Sequence, residues 1–177
     1  MTLKLSTQEM NRLSVEEFRA SEKLPLTVVL DNVRSLNNIG SIFRTSDAFR
    51  VEHIDLCGIT ATPPHREIHK TALGAEDSVE WSYHGDTVTC LKELKERGYR
   101  LYAVELAHNS LKLDRDPIDT TCPVALIFGN EIDGVQEEAM TLCDSFIEIP
   151  QYGAKHSLNV SCAASIAIWE VSKQMRQ

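Results

Sequence analysis

The sequence predicts an α/β fold with a doubly wound, mostly parallel sheet, and three observations predict it. Short β-branched, apolar runs alternate with stretches of helical periodicity along almost the whole chain. That alternation is the pattern of βα units wound into a parallel sheet. The most unusual polar stretches each follow an apolar run, and sheets of this kind bind ligands beyond the carboxyl ends of their strands.

Ser14 and Glu17 have capping-box spacing, which predicts a short amphipathic helix over 14–22 that ends before Pro25. Leu26 to Leu30 reads as a buried strand, Asp31 to Asn38 as a polar loop, and the following residues as a helix to about Phe49. His53 to Cys57 is a second strand. The segment from Thr60 to Ser78, with Pro63, Pro64 and Gly74, is expected to be mostly irregular, and a connection of that length is often functional. Asp86 to Arg97 is a helix stopped by Gly98, and strands follow at Tyr99 to Val104 and Val124 to Phe128. Gly134 opens a helix to about Cys143, Phe146 to Ile149 is a last short strand, and Ser157 begins a helix that runs nearly to the end.

A chain of 177 residues, 42% of them hydrophobic, buries one good core. The expected organisation is a short helical N-terminal extension, 1–24, followed by one domain, 25–177. No apolar run approaches the roughly 20 residues of a membrane span, and no signal-peptide pattern opens the sequence, so a soluble cytoplasmic protein is expected. The five cysteines are odd in number and form no C-x-x-C pair, which predicts reduced, mostly buried thiols. A net charge of −8 opposes nucleic-acid binding, because affinity for RNA comes largely from neutralised phosphates. A binding footprint nevertheless needs only a local cationic surface, for which Arg34, Arg44, Arg50, Arg66, Lys70 and Lys155 are available.

Three constellations stand out. In the first, Asn32 to Thr45, Asn38 and Gly40 suit a tight strand-to-helix turn, and Arg44 falls about one turn into the helix, where its fork could reach a phosphate. The plain reading makes Asn38 a cap and Arg44 a solvated surface arginine. In the second, a buried strand ends at Gly129 and is followed at once by Asn130 and Glu131, with Gly134 beyond. A Gly-Asn turn with Glu131 near a helix N-terminus explains it equally well. In the third, Ile149-Pro150 leads to Ser157, a natural N-cap whose following N–H groups can donate to a ligand, with Ser161, Ala164 and Ser165 at helical spacing. An ordinary helix with a small-residue seam is the alternative. His65 and His69 lie four apart, but Pro63-Pro64 disfavours a helix there and no third ligand has characteristic spacing, so no metal is expected.

Taken together and in order, the three stretches resemble the signature motifs of the SpoU (TrmH-like) branch of the SPOUT RNA methyltransferases. Asn32 to Thr45 resembles N-x-x-x-x-x-N-x-G-x-I-x-R-T, Phe128 to Gly134 resembles F-G-N-E-x-x-G, and Ile149-Pro150 with Ser157 to Ser161 resembles I-P…S-L-N-V-S. Lys70 to Ala75 also resembles the family's K-x-A-x-G-A stretch. The likeness runs from about Leu26 to the C-terminus.

The resemblance implies methylation of a ribose 2′-hydroxyl in structured RNA, tRNA favoured over rRNA, with S-adenosyl-L-methionine as the methyl donor. It implies a deep C-terminal trefoil knot and a homodimer with the final helix, including Ile168 and Trp169, and the first-motif helix at the interface. The implied catalytic set is Arg44, Asn38, Glu131, Ser157 and Asn159. The implied cofactor site is Val104, Gly129, Ile149, Gln151 and Leu158, and the RNA contacts would come from Arg34, Arg44, Arg66, Lys70 and Lys155. The sequence has no G-x-G-x-x-G, so a conventional dinucleotide loop is not available. Two readings from other classes are a catalytically inactive RNA-binding or chaperone protein on the same fold and a small-molecule sensor. Retention of the whole catalytic set argues against the first.

Overall fold

In the computed structural model, residues 4, 5 and 9–177 are described; the parts of the expected N-terminal extension at 1–3 and 6–8 lie outside them. Seven strands form one sheet: β1 (Leu24–Asp31), β2 (Val51–Cys57), β3 (Glu80–His84), β4 (Arg100–Val104), β5 (Leu111–Lys112), β6 (Val124–Phe128) and β7 (Ser145–Glu148). Their order is β3-β2-β1-β6-β4-β7-β5, and every adjacent pair is parallel. Seven helices connect and cover them: α1 (Val15–Ala20), α2 (Leu36–Phe49), α3 (Arg66–Ala72), α4 (Ala75–Ser78), α5 (Thr87–Glu96), α6 (Glu137–Met140) and α7 (Val160–Met175).

The period of two along each strand divides the core in two. Leu26, Val28 and Leu30 of β1 pack with Ile39, Ile42 and Phe43 of α2 and with Ala167, Ile168 and Val171 of α7. Val29 of the same strand and Leu101, Ala103, Ala125 and Ile127 of its neighbours pack on the other face with Leu91 and Leu94 of α5 and Ala139 of α6. A sheet covered on both faces needs strands that are apolar throughout, and Val124–Phe128 is buried at all five positions. Among the described residues, no helix is long and apolar enough to cross a membrane.

The structure corrects several expectations. The Thr60–Ser78 segment is not mostly irregular, because α3 and α4 occupy most of its second half. Pro63-Pro64 does not prevent the helix: both lie before the N-cap, His65, where no helical N–H is required, and the His65 ring accepts from the Glu67 N–H. Asn38 and Gly40 do not make a tight turn; they lie buried inside α2, which starts at Leu36 under an N-cap from Ser35, so Arg44 sits more than two turns into the helix. Gly40 is required for another reason. A Cβ there would lie 2.2 Å from both the Ile68 carbonyl and Thr71 Oγ1, so its absence lets α3 lie against α2.

Gly134 belongs to a loop rather than a helix start, held by reciprocal backbone hydrogen bonds with Asn130, and α6 is limited to Glu137–Met140. Ser157 does not cap α7. Asn159 does, its Oδ1 accepting from the Ser161 and Cys162 N–H groups, while Ser157 is exposed two residues upstream. Ile168, expected at a subunit interface, is fully buried in the chain's own core, whereas Trp169 is 53% exposed. Strands β3 and β5 were not anticipated. Both are edge strands, half-exposed and so poor in the apolar runs that mark the inner strands.

Candidate active site

At the carboxyl ends of β4, β6 and β7 the chain encloses a cavity of about 360 Å³. Parallel strands that end together expose their last backbone groups there, with nothing to continue the ladder. Val104, Gly129, Ile149, Gln151 and Leu158 all line this one cavity, as do Glu131, Ser157 and Asn159. Its wall is about evenly polar and apolar, and its charged side chains are Glu105 and Glu131. A recess that sets apolar side chains beside two carboxylates and several neutral polar groups fits a ligand that combines an aromatic ring with a positive sulfonium, which is the chemistry of S-adenosylmethionine.

The recess depends on close backbone approach at the end of β6. A Cβ on Gly129 would lie 1.9 Å from the Gly134 carbonyl carbon and 2.1 Å from the Val135 nitrogen, so the glycine is required by the chain's own returning loop. Two carboxylates hold that loop. Glu105, directly after β4, accepts from the Leu106 and Val135 N–H groups. Asp31, 1% exposed at the end of β1, accepts from the Gln136 N–H at 2.8 Å, the Gln136 side chain at 3.0 Å, Thr87 Oγ1 at 2.7 Å and Asn32 at 2.8 Å. Sequence reasoning missed both. The available signal was an acidic side chain at the very end of an otherwise apolar strand.

One hydrogen-bonded chain joins all three motif segments. Glu131 Oε1 accepts from Asn38 Nδ2 at 2.9 Å and from the Ser35 N–H at 3.1 Å, and Oε2 accepts from the Arg34 N–H at 3.1 Å. Asn159 Nδ2 in turn donates to Asn38 Oδ1 at 3.1 Å. Partial burial pushes the Glu131 carboxyl up, but the hydrogen bonds from Asn38 and from the Arg34 and Ser35 N–H groups outweigh it and hold the group below the ordinary carboxylate range. Glu131 is therefore an anion that fixes Asn38, and Asn38 fixes Asn159 at the head of α7.

Arg44 stands apart from this network. It is exposed on α2, does not line the cavity, and makes no hydrogen bond or ion pair with a described residue. The same holds for exposed Arg66 and Lys155 with respect to described polar partners. Arg34 pairs loosely with Asp133 at 3.9 Å, and Lys70 pairs with Glu67 at 2.7 Å. Next to Arg44, Thr45 Oγ1 lies 2.9 Å from Ser165 Oγ, so the small-residue seam of α7 is where α2 packs.

His65 and His69 hold no common ligand position: the first caps α3, and the second lies 2.6 Å from Glu76 Oε1.

Residues 25–169 match the model of the SpoU rRNA Methylase family. Among curated proteins, the chain is 36% identical over 166 residues to tRNA (guanosine(18)-2′-O)-methyltransferase of Thermus thermophilus, covering 94% of this chain and 84% of the relative. Among solved structures, it superposes on the A. aeolicus TrmH/SpoU tRNA modifying enzyme with a TM-score of 0.80 and 30% identity, over 92% of this chain and 82% of that one. The AdoMet-bound rRNA methyltransferase of Sinorhizobium meliloti superposes with a TM-score of 0.79 and 29% identity, over 88% of this chain and 59% of that one.

Proposed function

The chain belongs to the SpoU family of RNA methylases, and from that premise we propose how its own residues serve the reaction. The reaction is transfer of a methyl group from S-adenosylmethionine to a ribose 2′-hydroxyl of RNA. The observation that carries the residue assignment is the Glu131–Asn38–Asn159 chain, which ties the three motif segments together beside the cavity. The substrate is a tRNA, as for the Thermus relative, in preference to an rRNA.

Bound in the cavity, S-adenosylmethionine supplies an activated methyl group. Val104, Gly129, Ile149, Gln151 and Leu158 would hold it, and Ser157 and Asn159 would orient the acceptor ribose. Orientation of this kind supplies effective molarities of about 10⁵ to 10⁸ M, against roughly 10² to 10⁴-fold for general-base help, so positioning dominates the rate. A guanidinium keeps its proton at neutral pH, which makes Arg44 a clamp on the target phosphate and a polariser of the 2′-oxygen rather than a base. Arg34, Arg66, Lys70 and Lys155 add phosphate contacts around it.

The remaining features of this reading are a C-terminal trefoil knot in the segment leading to α7, a cytoplasmic homodimer, and a domain spanning 25–177 behind a short N-terminal extension. Support for the dimer comes from α7, whose outer face exposes Cys162, Ile166 and Trp169 at helical spacing. The test is incubation of the purified chain with tritiated S-adenosylmethionine and total RNA from a strain lacking the gene, then nucleoside mass spectrometry of each labelled size class. A 2′-O-methylnucleoside in the tRNA fraction is expected. Label confined to rRNA would replace the substrate, and no label despite cofactor binding would return the non-catalytic alternative.

A further inference from the structure

A second group of chemically capable side chains lies outside the cavity lining, between β2, β3 and α5. The alternation of β2 turns Ile54 and Leu56 toward the α2 layer and Cys57 toward the α5 layer, with His53 and Asp55 on the same side as Cys57. In the parallel register of β3, His84 is the partner of Cys57 and Ser82 the partner of Asp55. From α5, Cys90 completes the group: one ligand atom each from Asp55, His84 and Cys90 all lie within 4.8 Å of one another. Cys57, the register partner of His84, is buried in the same layer as Cys90 but lies outside that group of three.

We propose that Asp55, His84 and Cys90 bind one zinc ion that clamps β2, β3 and α5 together. A thiol, an imidazole and a carboxylate are N/S/O donors that zinc prefers, and a soft sulfur ligand disfavours magnesium and calcium. Zinc–ligand bonds of about 2.0–2.3 Å place tetrahedral donor atoms about 3.3–3.8 Å apart; His84 Nε2 and Asp55 Oδ1, 2.9 Å apart, would open slightly, and the rest of the group, all within 4.8 Å, would draw in.

The surroundings orient the donors as a metal site requires. His84 faces the group with Nε2 and turns Nδ1 toward Glu93 of α5, whose carboxylate lies 4.0 Å away, too far for a hydrogen bond. Asp55 Oδ2 accepts from Thr27 Oγ1 at 3.2 Å, leaving Oδ1 directed at His84. Asp55, Cys57 and Cys90 are buried among Val29, Leu91 and Leu94, and the partly exposed His84 side chain provides the way in. Three protein ligands and one solvent molecule would fill the tetrahedron, and binding releases the Cys90 thiol proton to solvent.

The test uses the untagged, full-length chain, stripped with chelator and kept reduced. Titration with Co²⁺ alone is expected to give one equivalent per chain with a near-ultraviolet thiolate-to-cobalt band, displaced by one equivalent of Zn²⁺, and zinc is expected to raise Tm. Cys90→Ser and the surface-accessible His84→Gln should each weaken binding by at least about tenfold, with circular dichroism showing that both variants fold. Cys162→Ser, an exposed thiol on α7, should change nothing. Cobalt bound without a thiolate band, or with unchanged affinity in both ligand variants, would overturn the site and leave Asp55–His84 as a plain buried hydrogen bond.

Discussion

Glu131 and Arg44 are both charged residues of the motifs, yet their surroundings give them opposite tasks. Glu131 is committed to three donors, while Arg44 is unengaged by described residues. Replacing Arg44 by Ala should therefore leave the fold and the cavity intact. The expected outcome is a fall in kcat of at least about 100-fold with the S-adenosylmethionine Kd within a few fold. Equal losses in a methylation assay and in calorimetry would remove Arg44 from its role. Glu131→Gln should act through Asn38 and Asn159 and on stability. Because the folded carboxyl titrates below its unfolded value, the stability it contributes is complete above the unfolded pKa of about 4.3 and disappears as the pH falls through the folded value. The advantage of the natural chain over Glu131→Gln in urea unfolding should accordingly be present at pH 7 and shrink toward zero in acid. A difference that persists unchanged at low pH would mean that the charge is not what matters.

Among the elements, α2 carries the most obligations. Its N-terminal turn receives Glu131, its middle admits α3 across Gly40, and its last turns meet α7 through Thr45 and Phe49. Gly40→Ala forces a Cβ onto the Ile68 carbonyl and Thr71, and one of the helices must move. The expected cost is about 1–3 kcal/mol in urea unfolding with an unchanged m-value. A neutral Gly40→Ala variant would show that the α2–α3 contact relaxes freely.

For the whole molecule, the proposed assembly rests on α7. One face of this helix is fully buried at Ala164, Ala167, Ile168 and Val171, and the other presents Ile166 at 41% and Trp169 at 53% exposure. Trp169 leans on Phe49 of α2 with ring centroids 5.4 Å apart, so the two helices share one apolar surface. Trp169→Glu should convert a dimer to a monomer in sedimentation velocity and reduce methylation while leaving the circular dichroism unchanged. A natural chain that sediments as a monomer at micromolar concentration would end the dimer proposal.

The amino-acid sequence by itself determined the fold class, because parallel inner strands are buried on both faces and have to be written as apolar runs such as Val124–Phe128. It also contained every residue of the motif network, since Asn38, Glu131 and Asn159 lie within stretches whose order and spacing are legible without coordinates. What it did not determine was how those residues divide the work. Asn38 reads as a turn residue until Ser35 is seen to cap α2, and Ser157 reads as a cap until Asn159 takes that place. The edge strand β3 was illegible because half-exposed strands lack an apolar signature, and with it went the neighbourhood of His84 and Cys57. Only the tertiary structure decided that Asp55, His84 and Cys90 meet. Their contact follows from strand register and the seating of α5 on the sheet, and neither is encoded as a spacing along the chain.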